Sequence, residues 1–271
     1  MSNEVVKTEE NKKLTFSAFI TSTGMKNKIN QIIGDENVGK RFISSIISAV
    51  STNPNLAECD NSSIVSGALL GESLKLSPSP QLGNYYLVPF NDKDRGKVAQ
   101  FILGYKGYIQ LAIRSGQYKK LNVLAIKEGE LIKYDPLNEE IEVDLIDDEE
   151  KREKAKTIGY YAMFEYVNGF RKSLYWSKSK MEKHALQYSK GYKAKSGYTF
   201  WEKDFDGMAY KTMLRQLISH WGIMSIDMQT AYESDMAVIN EDGSKDYVDT
   251  MEEVVEPKME TPKEVKGLDE I

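Results

Sequence analysis

Apolar and polar positions alternate with two different periods in the first part of the chain. Three segments repeat apolar residues with helical spacing: 16–33, 41–50 and 62–76. The sequence "SPSPQLG" at 77–83 ends this pattern, because proline and glycine interrupt regular helices. Two β-rich runs, at 84–90 and 97–105, flank the turn-rich "NDKDRG" and therefore predict a β-hairpin.

The middle of the chain contains a second hairpin signal. The segment 106–116 predicts a short helix that ends at a glycine, and 121–126 and 130–134 are further apolar segments. At 157–177 two β-rich runs are joined by Asn168-Gly169. Asn-Gly is the preferred two-residue hairpin turn, because both positions need positive φ. This is the clearest local prediction in the sequence.

Two capping boxes predict where later helices begin. Ser179 with Glu182 predicts a helix over 180–189. Thr199 with Glu202 predicts another helix, which runs to residue 222. In this last helix apolar residues recur every four positions: Phe205, Ala209, Met213, Leu217 and Trp221.

Two cations share the opposite edge of this last helix. Lys211 and Arg215 lie one turn apart, so their side chains point in the same direction. Because the apolar stripe predicts the buried side, we expect both cations to project into solvent.

The regular patterns stop near both ends of the chain. We predict a disordered N-terminus at 1–13, one α+β core at 14–232 and a flexible acidic tail at 233–271. No window approaches the roughly 18 consecutive apolar residues of a membrane span. The first 13 residues are polar and acidic, unlike a signal peptide. We therefore expect a cytoplasmic protein.

Charge is separated along the chain rather than mixed. Residues 233–271 contain 13 acidic and 4 basic residues, a net charge of −9. Because the whole chain carries −5, the other residues carry +4. From Arg171 to Arg215 there are 11 Lys and Arg against 4 Asp and Glu. A basic body with an acidic tail is typical of a nucleic-acid-binding protein, although a solvated acidic terminus is also common.

Several kinds of catalytic site are excluded by residue counts. One cysteine, Cys59, precludes an internal disulfide and fits a reducing compartment. With only two histidines, His184 and His220, the chain lacks the ligands of an ordinary zinc site. These histidines also offer no nucleophile–base pair. The sequence favours binding over bond-breaking chemistry.

A near match to a phosphate-binding loop occurs at 34–41, "GDENVGKR". The position that should be Ser or Thr, to ligate magnesium, is Arg41. The preceding residues continue a helical pattern, whereas such a loop follows a buried strand. We interpret the segment as a turn between two helices.

An acidic segment at 139–150 leaves a nuclease as an alternative. It supplies eight carboxylates, and Glu149 to Lys151 has the Glu-x-Lys spacing of many nucleases. Those enzymes place the motif on a buried strand, whereas residues 147–154 are eight consecutive charged residues and predict an exposed surface. A metal-dependent nuclease and a purely structural oligomer therefore remain the alternatives to a binding protein.

The stretch "YSKGYKAKSGYTFW" at 188–201 combines rings, lysines and glycines without an acidic residue. Single-stranded nucleic acid offers bases that stack on rings and phosphates that attract lysines. A tyrosine-rich surface loop with no ligand is the alternative.

The segment from Leu74 to Gly116 resembles the RecT family of phage single-strand annealing proteins. It contains "LKLSPSP", then the proline-terminated strand "YYLVPF", then "FILGYKGYIQLAIRSG", with a Gly-Tyr-Lys-Gly junction between strand and helix. The resemblance is weaker out to about Met228. This chain has "AIRSG" where the family has a doubly basic variant, so only Arg114 carries over.

The resemblance implies a fold, an activity and partners. The fold would be a curved antiparallel sheet packed by helices, and the protein would form a homo-oligomer, as a ring or filament, along single-stranded DNA. It would anneal complementary strands without ATP, hold the annealed duplex intermediate and act beside a phage exonuclease. A host single-strand-binding protein is a further possible partner. No cofactor is implied, and Mg²⁺ would serve only as a counterion of DNA.

The residues that we predict to contact DNA are cations and rings from several segments. They are Lys97, Tyr105, Lys106, Arg114, Lys119, Lys120, Arg171, Lys172, Lys193, Lys195, Tyr198, Phe200, Trp201, Lys211 and Arg215. For Tyr105 and Trp201, the alternative to a DNA contact is a position in the core. Arg171 and Lys172 point to opposite faces of a strand, so at most one of them reaches a given groove. No catalytic or metal-binding residue is predicted.

Overall fold

A computed structural model describes residues 14–92, 94–197 and 199–247. These residues form an α+β fold with antiparallel sheets, as the sequence predicts. The helices are α1 (Phe16–Thr21), α2 (Thr23–Ile33), α3 (Glu36–Ser51), α4 (Pro54–Ala57), α5 (Asn61–Ser73), α6 (Tyr105–Ser115), α7 (Glu149–Lys154), α8 (Lys178–Tyr188), α9 (Lys190–Lys193), α10 (Phe200–Lys203), α11 (Phe205–Trp221) and α12 (Ile226–Ser234). The strands are β1 (Tyr85–Asp92), β2 (Gly96–Leu103), β3 (Tyr118–Lys127), β4 (Leu131–Asp135), β5 (Glu140–Val143), β6 (Thr157–Tyr166), β7 (Arg171–Ser177), β8 (Ala237–Ile239) and β9 (Lys245–Asp246).

The first predicted hairpin is confirmed and forms one edge of a four-stranded sheet. The strand order is β1-β2-β8-β9, and Tyr85 lies opposite Leu103. Pro89 of β1 lies opposite Ala99 of β2. The N–H of Ala99 points away from β1 and donates to Ser63 Oγ at 2.8 Å. The nitrogen of Pro89 therefore lies on the outer edge of the sheet, where a proline removes no hydrogen bond of the ladder.

The second predicted hairpin is also confirmed. Strands β6 and β7 pair around Asn168-Gly169, but the predicted two-residue turn is wrong: Gly169 has φ +87°, Asn168 does not have positive φ, and the N–H of Tyr166 donates to the carbonyl of Phe170, so the loop has three residues, 167–169. Together with β3 they form a three-stranded sheet in the order β3-β6-β7. Strands β4 and β5 form a separate two-stranded sheet.

The long helix α11 lies between two hydrophobic clusters. Its residues Leu214 and Ile218 pack with α1–α6 and the first sheet. On its other side, Ala209, Met213 and Leu217 pack with α8 and the β3-β6-β7 sheet. The helix is therefore buried on two sides, which a single apolar stripe did not predict.

The boundary predicted after residue 232 is wrong. Ser234 and Asp235 are buried, and β8 pairs with β2 through Val238 opposite Gln100. The fold therefore continues at least to Tyr247, the last described residue. The predicted disorder of residues 1–13 and of the chain after 247 falls outside the described residues.

Two helix starts differ from the predictions. Helix α8 begins two residues early, because the hydroxyl of Ser177 rather than that of Ser179 accepts the first-turn N–H, from Lys180. The Thr199–Glu202 box is present, but it caps only α10. Asp204 then has extended backbone angles and caps α11, accepting from the N–H of Gly207 at 2.9 Å. The predicted single helix is therefore two helices.

No helix in the described ranges is both long and apolar enough to cross a membrane.

Candidate nucleic-acid interface

A groove of about 740 Å³ runs beside β1. Its lining comes from β1, from α3, α4 and the residues between them, from the loop between α5 and β1, and from α10. Its lining combines aromatic rings, prolines and lysines: Tyr86, Phe90, Phe200, Pro78, Pro80, Pro89, Lys97 and Lys203 are among the residues. The lining combines the flat apolar faces and the positive charge that single-stranded nucleic acid requires.

Two rings meet at one end of this groove. The ring centroids of Tyr86 and Phe200 are 5.4 Å apart, with a tilt of 41°. Both side chains are partly exposed, so their outer faces are accessible. Phe200 was predicted as a DNA contact, and the structure places it in the groove.

The predicted Lys106 lies next to the same rings. Gly83 has φ +64°, and a Cβ at that position would lie 3.0 Å from the hydroxyl of Tyr86 and 3.3 Å from Cδ of Lys106. The glycine thus lets the loop before β1 approach both side chains. Lys106 is an exposed residue.

Tyr105, also predicted, connects this end of the groove to α11. Its ring is half-buried and lies 5.6 Å from that of Tyr210. Burial raises the pKa of Tyr86, and the nearby Asp204 and Tyr105 raise it further. Tyr86 therefore stays neutral near pH 7, as a ring that stacks on a base or donates its hydroxyl to a phosphate should.

The cations of the groove differ in how far they are neutralised. Lys97 forms an ion pair with Glu58, so part of its charge is already compensated. Lys203 is exposed and has no carboxylate within ion-pair distance among the described residues. Lys193 and Lys195 are exposed on and just after α9, in the segment that leads to α10. Tyr198 lies outside the described residues.

Arg114, the residue carried over from the family motif, has a structural contact. Its Nη2 donates to the carbonyl oxygen of Leu74 at 2.6 Å. The guanidinium therefore ties α6 to the segment before the groove while the residue remains exposed. Its predicted DNA contact stays a prediction.

Four predicted cations lie on the β3-β6-β7 sheet, away from the groove. Lys119 and Lys120 both pair with Glu165, at 2.6 and 3.4 Å. Arg171 approaches the hydroxyl of Tyr161, and Lys172 pairs with Glu139 while lying over the Trp221 ring. These cations therefore do not line the groove, and Glu165 and Glu139 compensate part of the charge of Lys119, Lys120 and Lys172.

The prediction that Lys211 projects into solvent is wrong. Lys211 is 5% exposed, and its Nζ lies 2.7 Å from Asp235 Oδ1. Arg215, partly buried, binds the other carboxylate oxygen at 2.9 Å. Burial lowers the pKa of Lys211, and Asp235 opposes this shift. Both cations thus hold the C-terminal segment to α11, so they are withdrawn as DNA contacts.

Trp201 is likewise a core residue rather than a stacking platform. It is 6% exposed, and its ring packs against Phe205, Tyr192 and His184. The structure therefore shows the alternative that the sequence left open, in which Trp201 belongs to the core. The adjacent Phe200 is the ring that reaches the groove.

The histidine in this cluster predicts a pH dependence of stability. Burial, together with the smaller effects of the Arg215 and Lys180 charges, lowers the pKa of His184 to about 4. In the unfolded chain the pKa is about 6.5. Between these values the unfolded state binds more protons, so the free energy of unfolding falls as pH drops from 6.5 to 4.

Urea unfolding at pH 7 and pH 5 checks this effect. We expect His184→Gln to lose less stability on acidification than the unchanged protein does. His220→Gln, at an exposed position, is the matched control and should keep the original loss. If His184→Gln loses as much stability between pH 7 and pH 5 as the unchanged protein does, His184 is not the cause of the pH dependence.

Two groove residues were missed in the sequence. Tyr86 belongs to a Tyr-Tyr pair whose first member, Tyr85, is buried in the core. Period-two alternation on a strand places the two rings on opposite faces, so this signal was present. Lys203 had no comparable signal, because its position depends on the break at Asp204.

The phosphate-loop and nuclease motifs have structural explanations. Gly34 ends α2 with φ +77°, and the Asp35 carboxylate accepts from the first N–H groups of α3, at 2.8 and 2.9 Å. These backbone bonds lower the pKa of Asp35. The amides that a phosphate would need are therefore occupied by a side chain.

Glu149 to Lys151 lie on the exposed helix α7, and within the described ranges no three His, Cys, Asp or Glu residues are placed to hold a metal ion.

The fold and the groove define an α+β protein with a basic, aromatic-lined groove. Comparison with known proteins identifies the family. The RecT family model matches residues 40–250. The chain belongs to the RecT family, a family of recombination and annealing proteins.

Two relatives are similar over most of their length. The uncharacterized protein YqaK of Bacillus subtilis (strain 168) is 41% identical over 239 residues, which cover 88% of this chain and 76% of that protein. Protein RecT of Escherichia coli (strain K12) is 30% identical over 222 residues, covering 80% of this chain and 79% of the relative.

Proposed function

We propose that this protein binds single-stranded DNA in the groove beside β1 and anneals complementary strands without ATP, as a homo-oligomer. The observation that carries the proposal is that Tyr86, Phe200 and Lys203 line one groove, with Lys106 at its border, in a member of this family. Three of the predicted contacts, Lys97, Lys106 and Phe200, belong to this site or border it.

Annealing needs positioning rather than bond chemistry. Base pairing and stacking release free energy on their own, whereas phosphate repulsion and hairpins in each strand oppose the encounter. Lysines along a groove release condensed counterions and reduce the repulsion. Rings that stack on some bases hold the strand extended, at about 1–3 kcal/mol per base. A row of such grooves would present one strand to its complement.

The proposal includes partners and a location. The annealed duplex intermediate stays bound, a phage exonuclease supplies the single strand, and a host single-strand-binding protein is a possible further contact. No cofactor takes part, and Mg²⁺ acts only as a counterion of DNA. The protein would act in the cytoplasm of the bacterial host.

The test is an annealing assay with purified protein, two complementary oligonucleotides and no nucleotide. We expect duplex to form faster than it does without protein, and the rate to be unchanged by added ATP. Glu149→Gln with Lys151→Met provides the comparison for the nuclease alternative and should anneal as well as the unchanged protein does.

Three results would contradict the proposal. Annealing that requires ATP would favour a phosphate-binding loop at 34–41. Metal-dependent cleavage that the Glu149 and Lys151 substitutions abolish would favour a nuclease. Absence of DNA binding at low salt would favour the remaining alternative, a purely structural oligomer.

A further inference from the structure

Two surfaces of the molecule carry opposite charge that is not neutralised internally. The first is the acidic module, which we define as residues 128–156 with β4, β5 and α7. It contains twelve carboxylates and five cations, a net charge of −7. The second is the basic face, which we define as the exposed side of α8 and α9 over residues 178–195. It contains six lysines and one carboxylate, a net charge of +5.

The acidic module keeps much of its charge available. Its own cations bind a minority of the carboxylates, as Lys151 does with Asp148, Lys154 with Glu150 and Arg152 with Glu130. Other carboxylates have no ion pair with any described residue: Glu140, Glu142, Asp144, Asp147, Glu149 and Glu153. The module also exposes apolar side chains, with Leu137 88% and Ile132 59% exposed.

The basic face has the complementary composition. Lys183 of α8 and Lys190, the first residue of α9, are both exposed without an ion pair to any described residue. Leu186 lies between them and is 46% exposed. An apolar centre with a charged rim is the usual anatomy of a protein interface.

The two surfaces lie on opposite sides of one sheet. In β7, Leu174 and Trp176 pack into the cluster that contains Met181 of α8. Tyr175, which points the other way, has its ring 4.9 Å from that of Tyr134 in β4. The β3-β6-β7 sheet therefore separates the acidic module from the basic face, so the two surfaces cannot neutralise each other within one molecule.

We infer that the acidic module of one copy docks on the basic face of the next copy, giving a head-to-tail assembly. This inference rests on the proposed function, which requires the protein to form a homo-oligomer. It identifies the two surfaces through which neighbouring copies would meet. The occupant is a second copy, because this chain itself carries both complementary charges and an apolar side chain in the middle of each. Contact between unlike surfaces repeats from copy to copy and produces a ring or filament. It also turns the carboxylates away from DNA, which they would repel.

Charge reversal provides the first test. Lys183→Glu with Lys190→Glu lowers the net charge of the basic face from +5 to +1, and Asp147→Lys with Glu153→Lys changes that of the acidic module from −7 to −3. We expect each variant alone to need about tenfold more protein for assembly, measured by sedimentation without DNA at low salt. A 1:1 mixture of the two should assemble again at the original concentration. Lys26→Glu with Lys75→Glu, which has the same charge change elsewhere, should assemble as the unchanged protein does.

Site-specific cross-linking provides the second test and does not depend on charge. One batch carries Leu137→Cys and another Leu186→Cys, both with Cys59→Ser. A bifunctional thiol reagent of about 10 Å should join the two batches into a mixed dimer and join neither batch to itself.

The outcomes separate the two proposals. Assembly of both charge-reversed variants at the original concentration, or a mixture that stays unassembled, would overturn the docking inference. Equal cross-linking within each batch would also overturn it. Assembly as expected with no annealing activity would contradict the proposed function alone.

Discussion

Truncation after residue 232 is expected to unfold the protein, whereas truncation after residue 247 should leave it folded. The shorter chain loses Asp235, which pairs with the buried Lys211 and with Arg215 and accepts from the N–H of Leu103 at 2.9 Å. Removing one member of a buried ion pair costs about 3–5 kcal/mol, against a typical total stability of 5–15 kcal/mol. The shorter chain also loses the three buried side chains of β8.

Urea unfolding followed by circular dichroism measures both truncations. The point variant Asp235→Asn isolates the charge, and we expect it to lower the free energy of unfolding by several kcal/mol. Adding Lys211→Met should restore part of this loss, because no buried ammonium then lacks a counter-charge. Equal urea midpoints for the 1–232 and 1–247 chains would show that the C-terminal segment does not stabilise the fold.

Replacing the groove residues Phe200 and Lys203 by alanine should weaken binding of single-stranded DNA about 5- to 150-fold. This range corresponds to one lost ring–base stack of about 1–3 kcal/mol. The loss of one lysine–phosphate contact should also reduce the slope of log affinity against log salt by about 0.7. A fluorescence anisotropy titration with a labelled oligonucleotide at several salt concentrations measures both quantities.

A matched control uses the same two residue types outside the groove. Phe170, just after the β6–β7 turn, and Lys156, just before β6, are exposed and do not line the groove. Their joint replacement by alanine should leave the affinity and the salt slope unchanged. If the control variant loses as much affinity as the groove variant, the DNA path runs over the β3-β6-β7 sheet instead.

Local chemistry predicted the hairpins and most helices. Gly169 provides the positive φ of the β6–β7 turn, and no distant contact is needed. The same holds for Gly116, which ends α6 with φ +69°. By contrast, Ser177 and Ser179 are both able to cap α8, and the end of β7 decides between them. Local signals therefore specified the elements and left their bounds open.

The errors at Lys211 and after residue 232 have one physical cause. Lys211 is buried because α11 packs on two sides, and its counter-charge, Asp235, lies in a segment that sequence composition describes as tail. A lysine at the edge of an apolar stripe is usually exposed, so only knowledge of its partner reverses the prediction. In the groove, Phe200 was identifiable as a ring beside lysines, whereas Lys203 depends on a helix break at Asp204.

Pro89 determines how the first sheet behaves when many copies are crowded together. A bare outer strand is a template on which further strands add, and growth of that kind leads to insoluble fibres. With its nitrogen on the outer edge of β1, Pro89 interrupts the row of donors that such growth would use. A protein concentrated along a polymer is exposed to this hazard more than a dilute one. The proline therefore disfavours the addition of a further strand at this edge.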